Sequence, residues 1–103
     1  MAKSEIIWTD EARNWLRLIR NYIAKDNPSA ADRTIEGIWQ KAQLLANFPE
    51  AGFEYPLSGR EDVRVLLYGH YRIAYMLSEN HLVHILGVFH AALDIERYFP
   101  EEP

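Results

Sequence analysis

Apolar residues along this chain recur first with the period of a helix and then with the period of a strand. Between Thr9 and Asp26, the residues Ala12, Trp15, Leu16, Ile19, Tyr22 and Ile23 return every three or four positions and gather on one stripe, while Arg13, Asn14, Arg17 and Arg20 fall outside it. Thr9 is placed to cap this helix, and Asp10 and Glu11 occupy its first turn, where carboxylates suit the positive end of the helix dipole. Asn27-Pro28 breaks the pattern and opens a second helix. Proline is tolerated there because its missing N–H would be unpaired in a first turn anyway, and Ser29 with Asp32 offers an alternative cap. Ala31, Ile35, Ile38, Trp39, Ala42, Leu45 and Ala46 form the second stripe, which stops at Phe48-Pro49. Two helices joined this tightly are antiparallel neighbours. Ahead of them, Glu5 to Trp8 reads as a brief edge strand.

The period changes after a Gly- and Pro-interrupted loop from Pro49 to Asp62, and Val63 to His90 reads as three strands. Val63, Val65 and Leu67 alternate with Arg64, Leu66 and Tyr68; Gly69-His70 makes a turn; Tyr71, Ile73, Tyr75 and Leu77 then share one face, opposite Arg72, Ala74 and Met76. Ser78-Glu79-Asn80 is the next turn. A three-residue loop places Val83, Ile85 and Phe89 on the tyrosine face and His84, Leu86, Val88 and His90 on the Arg72 face. A two-residue loop exchanges them, because a slip of one residue moves every side chain across the sheet. The first register segregates apolar residues better. The expected fold is therefore α+β: a short strand and an antiparallel helical hairpin packed on one face of a mainly antiparallel sheet, in the order β-α-α-β-β-β. A short helical tail through Leu93, Ile95 and Tyr98 closes the chain. The opposite sheet face is too apolar to stand in water, so a partner is expected to cover it.

Composition narrows the function classes. A length of 103 residues fits one domain. A formal charge of -4, and seven Lys or Arg against six Asp or Glu over residues 1 to 47, argue against coating nucleic acid by net electrostatics. There is no cysteine and no apolar run near the ~20 residues of a membrane span, so a cytoplasmic protein without disulfides is expected. His84 and His90 are the histidines that the favoured register puts on one face, and they stand about 20 Å apart along a strand, too far to share an ion. No metal or cofactor is expected. Arg64 and Arg72, with His90 a third member, are candidate contacts to phosphate or carboxylate, although their chemistry alone favours ordinary exposed strand positions.

Asn27-Pro28 between the helices, Phe48-Pro49 after them, Gly59-Arg60 before Val63-Arg64, then Tyr71-Arg72-Ile73-Ala74-Tyr75 and Ile85-Leu86-Gly87-Val88-Phe89-His90 together resemble the ParE/RelE toxins of type II toxin–antitoxin modules. The resemblance covers nearly the whole chain and is closer to the ParE branch. It implies a toxin that inhibits DNA gyrase and is neutralised by a cognate antitoxin, ParD-like with a ribbon-helix-helix pattern or similar. Arg72, Ala74, Met76, Leu86 and Val88 would meet that antitoxin. It also implies an alternative, the RelE-like cleavage of messenger RNA on the ribosome, for which Arg64, Arg72, His90 and Tyr98 are the catalytic candidates. The lysine-rich strand of RelE is absent, its place taken by Val63-Arg64-Val65, and ParE usually has arginine where Gly87 and Leu93 stand. Those departures leave a third reading, an inactive toxin fold retained for interaction.

Overall fold

Thr9 makes the joint between the first strand and the first helix. In a computed structural model, which describes residues 3–55 and 62–91, its hydroxyl accepts from the N–H of Ala12 at 3.1 Å and donates to the Ile85 carbonyl at 2.6 Å. One side chain thus caps a helix and ties it to the sheet. Strand β1 (Glu5–Trp8) leads into α1 (Asp10–Ala24), and α2 (Pro28–Gln43) follows after a tight connection. Asn27, rather than Ser29, is the cap of α2: its side chain accepts from Ala30 N–H at 3.1 Å, and Pro28 takes the first helical position. A 3₁₀ turn (Leu44–Ala46) finishes the hairpin, and Arg20 of α1 bridges to Asp32 of α2 at 3.0 Å.

The sheet has five strands in the order β1-β5-β4-β3-β2, with β2 (Phe53–Glu54), β3 (Val63–Tyr68), β4 (Tyr71–Leu77) and β5 (Leu82–His90). β1 runs parallel to β5 and every other pairing is antiparallel. The expected architecture holds, with β2 an addition inside the segment read as loop. Gly69 takes φ 56° in the β3–β4 turn, a conformation open to a residue without Cβ. Helix α1 lies on β5, and α2 on β3 and β4. Ala12, Ile38, Ala42 and Leu45 meet Leu66, Ile73, Tyr75, Val83, Ile85 and Val88 between the layers. The C-terminal tail expected to turn as a helix, Tyr98 included, lies outside the described residues.

The last hairpin corrects both registers considered from the sequence. Val83 and Ile85 lie on the tyrosine face as in the favoured register, but Leu77 pairs with Val83 and Tyr75 with Ile85, two residues further along than a Ser78-Glu79-Asn80 loop would place them, and a bulge then shifts the ladder so that Ala74 pairs with Gly87, Ile73 with Val88 and Arg72 with Phe89. One extra residue in a strand reverses the alternation beyond it. Val88 and His90 therefore join the helix face, and Phe89 crosses to the Arg72 face. His84 and His90, expected on one face, lie on opposite faces for the same reason.

The stripes need adjustment too. Trp39 and Tyr22, expected in the core, are 43% and 69% exposed. Ala31, Ile38, Ala42 and Leu45 do fill the interior from the second helix and its terminal turn, while Trp39 borders the cleft beside β1.

Candidate functional site

The second sheet face is not bare. Val63, Val65, Ala74 and Phe89 are fully buried within the single chain, and Tyr55, Leu86 and Trp15 pack against Val63, Ala74 and Phe89. Ala74 thus lies below the surface, and Val88 on the helix side of the sheet, so neither presents itself to a partner as expected. Arg72, Met76 and Leu86 remain half-buried, and Leu67, directly across from Arg72, is 52% exposed. What the face offers outside is an arginine set among apolar side chains.

Trp15 reaches this layer because β1 pairs only with Leu82 to Ile85. Beyond that point α1, rather than a strand, flanks β5, and the indole turns in against Phe89 with ring centroids 4.8 Å apart. Gly87 makes room for the contact, since a Cβ there would stand 2.7 Å from the Phe89 ring.

The sequence candidates separate in space. Arg64 shares the helix side of the sheet with Tyr75 and is committed to the loop before β2: Nη1 donates to the Gly52 carbonyl at 2.8 Å, and Nη2 meets Glu54 at 3.4 Å. Beside it the Tyr75 hydroxyl donates to the Pro49 carbonyl at 2.8 Å and accepts from Gly52 N–H at 2.9 Å. Burial pushes the Tyr75 hydroxyl above its ordinary pKa, against the lowering effects of the Gly52 bond and the Arg64 charge. Arg64 and Tyr75 together hold the loop on the sheet. Arg72 has, among the described residues, no ion pair or side-chain hydrogen bond.

His90 lies on the other side of the sheet, at the mouth of a groove of about 600 Å³ between α1 and the ends of β4 and β5. Its ring stacks near His70 at 6.0 Å and meets the edge of Tyr71 at 5.6 Å. Leu18, Tyr22 and Tyr71 line the groove, and desolvation, followed by the neighbouring Tyr22, raises the pKa of Tyr71. Sequence reading missed this groove. Its signal was Leu18, four residues before Tyr22 and so beside it on one flank of α1. Among the described residues no group of three His, Asp or Glu side chains is arranged to hold a metal. No described helix is long and apolar enough to cross a membrane.

A helical hairpin on a five-stranded sheet with this order defines a class that comparison identifies. Residues 6–95 match the family described as ParE toxin of type II toxin-antitoxin system, parDE, and the chain belongs to that family, within the ParE/RelE superfamily. It is 36% identical over 89 residues to Toxin RelE2 of Caulobacter vibrioides, covering 86% of this chain and 97% of that protein. It is 35% identical over 91 residues to the putative toxin Y4kP of Sinorhizobium fredii, covering 88% of this chain and 92% of that one. Among solved structures it resembles the chromosomal ParDE system of P. aeruginosa, with TM-score 0.71 and 20% identity over 85% of this chain and 96% of that one. It also resembles the RelBE2 toxin–antitoxin complex of Mycobacterium tuberculosis, with TM-score 0.59 and 22% identity over 87% and 93% of the two chains.

Proposed function

We propose that this toxin acts in the ParE manner, by binding DNA gyrase, and that a cognate antitoxin holds it inactive. The observation that carries the reading is the fate of the two sheet arginines. Cleavage of RNA needs cations gathered where negative charge develops on the phosphate. Arg64 is spent on the Gly52 carbonyl and Glu54, Arg72 stands on the opposite face from His90, and the described part of the sheet gathers no basic cluster. A binding mode asks less: one guanidinium without a partner among the described residues, directly across from exposed Leu67, is a suitable anchor for a protein surface.

The antitoxin reading draws on two apolar regions that reach the surface, exposed Leu67 with half-buried Met76 and Leu86 on the sheet, and exposed Leu18 with Tyr22 on α1. The solved relatives being toxin–antitoxin systems supports an antitoxin partner, which in this reading is ParD-like with a ribbon-helix-helix pattern or similar. Supercoiling of relaxed plasmid by gyrase tests the target: purified toxin in excess inhibits it, and undiminished supercoiling overturns the proposal.

A second reading is favoured by one observation, the 36% identity to a protein named Toxin RelE2. Under it, translating ribosomes exposed to the protein yield cleaved message. The third, a toxin fold kept for interaction alone, rested on Gly87 and Leu93 replacing the arginines of ParE. Gly87 has a packing reason of its own in the Phe89 ring above it.

A further inference from the structure

Among the described residues β1 is an edge strand, with no strand beside its outer side. Glu5 and Thr9 send their N–H groups towards β5, to the carbonyls of His81 and Ile85, both at 3.3 Å. Alternation along a strand then aims the backbone groups of Ile6 and Trp8 the other way, off the sheet. A cleft beside this edge is lined by Ile6, Ile7, Trp8, Arg13, Leu16 and Trp39. The buried indole Nε1 of Trp8 has no partner among the described residues, and Trp39 stands half in solvent above the edge.

We infer that this edge receives a second copy of the chain, β1 against β1, in an antiparallel pairing that continues the sheet across a two-fold axis. The outward groups allow one register. Only residues of the outward set can exchange both backbone bonds with a partner strand. Ser4 N–H is already given to Ala46, and the helix begins at Asp10, so pairings centred on Ile6 or Trp8 leave outward groups of the strand unbonded. Centring on Ile7 pairs Ile6 of each copy with Trp8 of the other, and every outward group of both strands is bonded.

Side chains agree with that register. Ile6 and Trp8 both face the helix layer, so each copy sets an indole against the other's isoleucine, a favourable cross-strand pair. Charge agrees as well. Counting outward from Ile7, exposed Lys3 falls opposite the first turn of the partner's α1, where exposed Asp10 and Glu11 lie. The interface is isologous and closes on itself, so the product is a dimer and not a fibre.

The test places like and unlike charges on the axis. Ile7 is half-buried on the sheet's second face and meets its own counterpart in the dimer. In sedimentation equilibrium the full chain is expected to be dimeric at micromolar concentration. Ile7→Lys and Ile7→Glu are each expected to be monomeric, and their equimolar mixture dimeric again, which also shows that both variants fold. Hydrogen exchange of the unaltered chain gives an independent readout: the Ile6 and Trp8 amides slow as concentration rises. A wild type that stays monomeric, single variants that stay dimeric, or exchange independent of concentration overturns the inference. So does protection of those amides that arises only on adding the antitoxin, which would assign the edge to an extended segment of that protein.

Discussion

The indole of Trp15 lies against the ring of Phe89 with centroids 4.8 Å apart and planes inclined at 60°, a contact between a helix on one side of the sheet and a strand residue that faces the other. The bulge after Ile85 turns Phe89 to that side, and the end of β1 leaves the opening through which Trp15 enters. Because Phe89 is fully buried, Phe89→Ala is expected to cost about 3–5 kcal/mol. At roughly 4–8 °C per kcal/mol for a domain of this size, Tm falls by at least ~12 °C in a calorimetric scan. Gly87→Arg, which restores the residue usual in ParE, is expected to lower Tm as well, because its Cβ displaces the Phe89 ring. An unchanged Tm for either variant contradicts this packing.

Tyr75 holds the loop before β2 by two hydrogen bonds. Removing the hydroxyl in Tyr75→Phe leaves Gly52 N–H without its partner, at a cost of about 1–3 kcal/mol. Urea unfolding measures the difference as a lower midpoint at constant slope.

Alkaline pH probes the same group without mutation. The folded pKa of Tyr75 is raised above the ordinary 10.0, chiefly by burial, and that of Tyr71 is raised by desolvation and then by Tyr22. A raised pKa means that the folded state holds the proton more tightly. The stability it contributes is complete below the ordinary value and is lost as pH rises through the folded one. Unfolding free energy is therefore expected to decline above about pH 10, and less steeply in Tyr75→Phe. Urea titrations across that range check it.

The arginines are expected to part company. Arg64→Ala frees the loop around Glu50 to Glu54, and faster amide exchange at Gly52 reports it. Arg72→Ala keeps the thermal melt within a few degrees of wild type, because no bond inside the described chain is lost, yet weakens toxicity or antitoxin binding. A large loss of stability in Arg72→Ala makes that residue structural instead.

Much of the fold was legible because the signals are local. Three-and-four spacing marked both helices, Thr9 and Asn27-Pro28 marked their starts, and Gly69 marked a turn. The bulge was hidden because Leu86, Val88 and Phe89 are all apolar, so alternation does not tell which faces inward; Gly87 beside it was the one clue. β2 is two residues long, too short for any period. Arg64 and Arg72 look alike in sequence, and what separates them is which side of the sheet the loop at Gly52 lies on, a tertiary fact. The exposure of Trp39 arises similarly, since α2 buries Ile38 and leaves its neighbour over the narrow edge of β1.

The central claim is that Arg72 anchors a gyrase-binding face while Arg64 only holds the fold. Gyrase supercoiling of relaxed plasmid in the presence of wild type, Arg64→Ala and Arg72→Ala tests it most directly. The account predicts inhibition by wild type, near-equal inhibition by Arg64→Ala, and a loss of at least ~10-fold in potency for Arg72→Ala, the effect of about 1.4 kcal/mol of binding energy. Full supercoiling with wild type present, or equal potency of Arg72→Ala and wild type, contradicts it.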